Sequence, residues 1–123
     1  MSLPIIYHIA AKADFETAVQ QGYYVCESLK LEGFIHCSTK AELVNTANRV
    51  FRGKNNLILL GIEENKIASK VIYENLSGGA IQYPHIYGVL NWDAVLETYP
   101  FACDEKGEFS FPEANHAFEF KFN

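Results

Sequence analysis

Residues 33–63 read GFIHCSTKAELVNTANRVFRGKNNLILLGIE, a strand-like phrase, an amphipathic helix and a continuous apolar run in direct succession. In GFIHCS, Phe34, Ile35 and Cys37 favour a buried strand that enters a turn, with His36 near its end. Thr39 followed three residues later by Glu42 spells a capping box, which starts a helix with Leu43, Ala47, Val50 and Phe51 as its inward stripe. Gly53 ends that helix, and NLILLGIE has the composition of a central strand buried on both sides.

Upstream, residues 4–9 form a short β-branched strand, and AKADFETAVQQ suits a helix with Asp14 near its start and Gly22 as its stop. Downstream, KVIYEN is another strand that places Glu74 at its end, and Ser77, Gly78 and Gly79 allow a turn. YPHIYG reads as a rigid loop or short strand, because Pro84 holds the preceding residue extended and Gly88 lets the chain turn away. NWDAV is a single helical turn capped by Asn91, LETYPF a strand, and KGEF a turn through Gly107. The alternation in HAFEFKF, with Phe118, Phe120 and Phe122 on one side, predicts a terminal antiparallel strand. Strands outnumber helices and do not alternate with them, so the expected fold class is α+β with a mostly antiparallel sheet and a few short helices.

Length and composition narrow the function classes. The 123 residues suit one domain spanning 1–123, and 49% hydrophobic with 20% charged residues is a globular composition. No apolar run reaches the ~18 residues of a membrane span. The N-terminus lacks a basic n-region and a long apolar h-region, so the expected location is the cytoplasm and no membrane partner is expected. Cys26, Cys37 and Cys103 are odd in number and show no CxxC spacing, so they read as reduced thiols. A net charge of −5 and only two arginines, Arg49 and Arg52, work against capture of long duplex nucleic acid. Lys40, Arg49, Arg52 and Lys54 read as a solvated helix face.

Chemistry concentrates in three histidines set in apolar phrases: His8 in IIYHIA, His36 in GFIHCST and His85 in YPHIYG. Each alone has a competing role as a hydrogen-bonded core or rim ring. Brought together, they form a site able to act as acid, base or neutral donor toward a phosphate or ribose. The candidate catalytic residues are His8, His36, Glu74 and His85. Ser38 and Thr39 add hydroxyls and amide donors at a helix N-terminus, and Tyr87 can stack on a ring, so these three are candidate ligand-binding residues. The histidines show neither HxH nor HExxH spacing, and no metal is assigned. In a regular strand Cys37 points opposite to His36, so that pair does not form a nucleophile and its base. His116, in a polar turn, reads as a surface residue.

These phrases resemble the bacterial domain of unknown function 952 family, with matches at residues 6–9, 33–38, 57–62 and 84–88 and a likeness spanning about residues 5–100. Members usually carry Phe before the Pro-His pair and Trp early in the first helix region, where this chain has Tyr83 and Phe15. The resemblance implies an architecture similar to that of ADP-ribosyltransferases and RNA 2′-phosphotransferases, and NAD or a related nucleotide as ligand. It gives His8 the ribose-holding role, the His36 to Ser38 stretch the pocket-shaping role and Glu74 the role of stabilising an oxocarbenium-like centre. The arginines that surround the phosphate in the phosphotransferase branch have no counterpart inside the matching phrases. The leading expectation is a nucleotide- or small-molecule-binding domain acting as a transferase or hydrolase, and the alternative is a non-catalytic binding or interaction module with structural histidines. The enzyme reading requires the three rings to meet in an open cleft with Glu74 or Ser38 within reach.

Overall fold

The computed structural model describes residues 4–113 and 117–118. Among these residues eight strands and three helices follow in the order β1 (Ile5–Ala11), α1 (Lys12–Gln21), β2 (Tyr23–Tyr24), α2 (Glu27–Glu32), β3 (Ile35–His36), α3 (Lys40–Val50), β4 (Leu57–Glu63), β5 (Lys70–Glu74), β6 (Tyr83–Tyr87), β7 (Leu90–Asn91) and β8 (Val95–Phe101). Short 3₁₀ turns lie at Glu64–Lys66 and Trp92–Ala94. The strands form three antiparallel sheets, ordered β1-β4-β8, β2-β7 and β3-β6-β5. This is the α+β architecture, mostly antiparallel with few helices, that the sequence predicts.

Every residue of β4 is buried, and the period-two geometry of a strand explains how. Leu57 and Leu59 pack with Tyr7, Ile9, Tyr99, Phe101 and with Leu43 and Ala47 of α3 on one face. Ile58, Leu60 and Ile62 pack with Ile6, Ala10, Phe15, Ala18 and the inner faces of the other two sheets on the opposite face. A bulge between Gly61 and Ile62 shifts the register against β8, where the Glu97 side chain crosses the space a Cβ at position 61 would need.

The β3-β6-β5 sheet is also two-faced. Ile35 lies opposite Ile86, and both are fully buried in the core. His36 lies opposite His85 on the other face, together with Phe34, Tyr83, Tyr87 and Glu74 by the same alternation. Pro84, in the central strand β6, accepts the Cys37 N–H at 3.0 Å but has no N–H to return. The ladder therefore stops, and Ser38 turns to pair with Tyr7 of β1 through two bonds of 2.8 and 2.7 Å. Residues 36–38 thereby join two sheets.

Several local expectations change. Helix α2, which has no signal in the sequence, has no regular apolar stripe and no fully buried residue; Gly33, in the left-handed conformation at φ 90°, closes it with N–H bonds to Ser28 and Leu29 carbonyls. Thr39 is the N-cap of α3 but makes no side-chain cap bond, so the capping box does not form. Val50 is 54% exposed rather than part of the inward stripe. Asn91 does not cap its turn with its side chain; it accepts the Ala68 N–H and donates to the Lys66 carbonyl, clasping the loop before β5. The terminal strand expected in HAFEFKF lies outside the described residues except for Ala117 and Phe118, and His116 lies outside them too; Phe118 donates its N–H to the Thr98 carbonyl and stacks edge-on against Phe15. Among the described residues no helix is long and apolar enough to cross a membrane.

Gly88 ends β6 at φ 155°, and a Cβ there would lie 2.4 Å from Ser69 Oγ, whose hydroxyl is committed to the Val89 carbonyl. Gly88→Ala is expected to lower unfolding free energy by about 1–3 kcal/mol in urea titrations. An unchanged midpoint would show that the loop yields without cost.

Candidate functional site

A cleft of about 770 Å³ opens along the outer edge of β1, between it, α2, the far end of α3 and the histidine-bearing face of the β3-β6-β5 sheet. Its walls include His8, His36 and His85, together with Ser38 and Glu74. Thr39 and Tyr87 are not among the lining residues.

His8 sits on the inner face of β1 and is 6% exposed. Its Nδ1–H donates to the His36 carbonyl at 2.6 Å, since a carbonyl can only accept. That fixes the tautomer, and Nε2 accepts the Tyr24 hydroxyl at 2.7 Å. Burial pulls His8 down to about 4, outweighing the hydrogen bond to the His36 carbonyl that favours the protonated ring, so the ring is neutral at ordinary pH. Burial pushes the Tyr24 phenol up, which keeps its proton in place as the donor. The sequence reading gives His8 a catalytic, ribose-holding part; the structure occupies both its nitrogens and makes it a strut between β1, β2 and β3.

His36 and His85 meet across the β3/β6 pair with ring centroids 5.2 Å apart. His36 is half exposed, and its Nε2 lies 2.7 Å from Glu32 at the end of α2. His85 is buried and stacks on Phe34 at 4.1 Å. Its Nδ1–H donates to Glu74 Oε2 at 2.8 Å, and the same oxygen accepts the Tyr87 hydroxyl. Those two donors, Tyr87 first and His85 second, hold the Glu74 carboxyl below its ordinary value. Nε2 of His85 has no hydrogen-bond partner among the described residues and is not sealed from solvent. An imidazole oriented by a carboxylate through Nδ1, with its second nitrogen unpaired in a residue that lines a cleft, is equipped to move a proton.

The remaining expectations resolve differently. Ser38 is buried in the cleft wall, but its N–H is spent on Tyr7, so the helix start is not an open anion seat there. Tyr87 supports Glu74 instead of offering its ring to a ligand. Cys37 touches the cleft wall but is buried, and burial pushes its thiol up, away from the thiolate form. Sequence reading missed Tyr24, Glu32 and Phe34 as partners of the histidines. Phe34 carries a legible signal, standing two residues before His36 and therefore on its face. Asp14 and Glu27 also line the cleft, so its carboxylates outnumber the cation Arg49. Among the described residues no three His, Cys, Asp or Glu side chains are grouped so as to hold a metal ion.

A family model described as a protein of unknown function, DUF952, matches residues 9–98. The chain is similar to protein CC0527 from Caulobacter crescentus, whose X-ray crystal structure aligns at 30% identity and a TM-score of 0.78 over 86% of this chain and 93% of that one. The solution NMR structure of CC0527 aligns at 30% identity and a TM-score of 0.76 over 88% and 93% of the two chains. No curated protein matches the chain.

The low affinity of His8 for a proton has a measurable consequence. The unfolded ring binds a proton near pH 6.5 and the native ring only near pH 4, so between these values the unfolded state holds more protons and stability falls on acidification. The loss is expected to be on the order of 3 kcal/mol across that window, read from urea midpoints at successive pH values. His8→Gln should be less stable at pH 7 yet lack this component; an equally steep pH dependence in the variant would assign it to other groups.

Proposed function

The chain belongs to the DUF952 family, whose function is not established, and from its cleft we propose that it binds a ribose-bearing nucleotide and acts on it as a hydrolase or transferase, with His85 as the general acid–base and Glu74 as its orienting carboxylate. The observation that carries the proposal is the bond from His85 Nδ1–H to a Glu74 oxygen already held by Tyr87, with Nε2 left open. A volume of about 770 Å³ falls in the range of small-molecule sites. Aromatic side chains of Tyr83 and Phe51 offer surface to a base, and Asp14, Glu27 and Glu32 offer acceptors to ribose hydroxyls.

In such a reaction a water or alcohol oxygen attacks the ribosyl carbon, and its proton passes to His85 Nε2. The electrons of the cleaved bond leave with the departing group, which recovers a proton from the imidazolium. Glu74 stabilises that imidazolium, and the surrounding carboxylates favour positive charge developing on the sugar. NAD is a candidate substrate of this class whose nicotinamide leaves as a neutral pyridine, so there the imidazolium returns its proton to solvent instead. The proposed likeness to ADP-ribosyltransferases draws on the same features: antiparallel strands around a ribose-sized cleft and a carboxylate at the end of β5. The role assigned by that likeness to an early-strand histidine passes to His36 and His85, because His8 is occupied. A non-catalytic binding module is the second reading, and the buried, doubly bonded His8 favours it as a purely structural histidine.

The test is a melting-temperature titration of the parent, His85→Gln and Glu74→Gln with NAD, ADP-ribose and AMP, with products followed chromatographically. We expect a ligand-dependent rise in the parent. Turnover of at least one compound should fall about 10²- to 10⁴-fold in His85→Gln. Binding without turnover supports the module, and no rise with any compound overturns the nucleotide reading.

A further inference from the structure

The cleft has a second polar end that the histidines do not use. Thr46 and Arg49 stand three residues apart on α3, hence on one face of the helix, and both line the cleft. A threonine inside a helix ordinarily bonds the carbonyl four residues back. Thr46 does not: its Oγ1 is buried with no hydrogen-bond partner among the described residues. Such an oxygen costs stability unless something else supplies a partner.

Arg49 is equally uncommitted. Neighbouring cations are engaged: Arg52 pairs with Glu108 at 3.3 Å, Lys54 lies over the Phe51 ring and Lys40 over the Phe111 ring. Among the described residues Arg49 has no ion pair; it is exposed to solvent and is the cation of the cleft wall.

We propose that Thr46 and Arg49 form an anion subsite that takes the terminal phosphomonoester of the ligand, at the α3 end of the cleft. The guanidinium fork matches two phosphate oxygens, and the threonine hydroxyl, sealed from solvent in its present rotamer, reaches a third by turning about the Cα–Cβ bond. One cation set against Asp14, Glu27, Glu32 and Glu74 suits a single phosphate and disfavours a pyrophosphate. The inference rests on the cleft being a nucleotide site and narrows that class to nucleoside monophosphates.

Inorganic phosphate is the first probe, titrated into ¹⁵N-labelled parent, Arg49→Gln and Thr46→Val while the Arg49 Nε and residue-46 amide resonances are followed. Saturable shifts are expected in the parent. Phosphate affinity should fall about tenfold or more in Arg49→Gln and a few-fold in Thr46→Val. Thr46→Val is expected to melt no lower than the parent, because the valine removes an unsatisfied oxygen at constant shape. Adenosine, AMP and ADP are titrated next. AMP should bind about tenfold tighter than adenosine, that gain should vanish in Arg49→Gln, and ADP should bind no tighter than AMP. Phosphate binding of equal strength in the parent and Arg49→Gln overturns the subsite, as does adenosine binding unimproved by the 5′-phosphate. Phosphate binding at Arg49 without any adenosine binding leaves the subsite standing and removes the nucleoside reading of the rest of the cleft.

Discussion

Three sheets converge on one buried neutral imidazole. His8 can satisfy the His36 carbonyl and the Tyr24 hydroxyl together because a neutral ring is donor at one nitrogen and acceptor at the other. An imidazolium would set two donors against a hydroxyl that is itself held protonated, in a site with little water to compensate. Beside it, the paired bonds between Tyr7 and Ser38 fasten the same two strands through the backbone. The strut and the bridge together hold β3 against β1 and so fix one wall of the cleft relative to the other.

With that wall fixed, the two remaining histidines differ by environment. His36 faces solvent beside a half-exposed Glu32, where a long side chain and water screen the pair. His85 is pressed against Phe34 and bonded to a carboxylate that Tyr87 also grips, so its orientation is set by packing on one side and hydrogen bonding on the other. The two rings are in contact, one ordered by its surroundings and one accessible to solvent. The carboxylates around them make this end of the cleft suited to groups that gain positive charge, in contrast to the guanidinium at the opposite end.

Much of the scaffold was legible because it depends on local chemistry. β4 announces itself as an unbroken apolar run, and Gly22 marks the end of α1. The phrases GFIHCS and YPHIYG carry their histidines on the alternate side from Ile35 and Ile86, which is how a strand separates core from cleft. Position 74 was readable as a strand end, but its bond to His85 depends on the β5/β6 register, which residues 70–87 do not spell out. Tyr24 and Glu32 escaped because they lie in YYVCESLKLE, where α2 has no fully buried residue and leaves no periodic trace. The roles of Thr39 and Asn91 were misread for a shared reason: each sits where a cap belongs, yet whether its side chain bonds its own helix depends on tertiary neighbours absent from the local sequence.

Pro84 sets the length of the β3/β6 ladder by a missing atom. Side-chain packing can drift by small steps, but an imino nitrogen either has a hydrogen or does not, so the point at which residues 37–38 leave one sheet for another is discrete. The separation between the walls is accordingly inherited with the proline itself. Side chains on the outward face can be exchanged without moving that point.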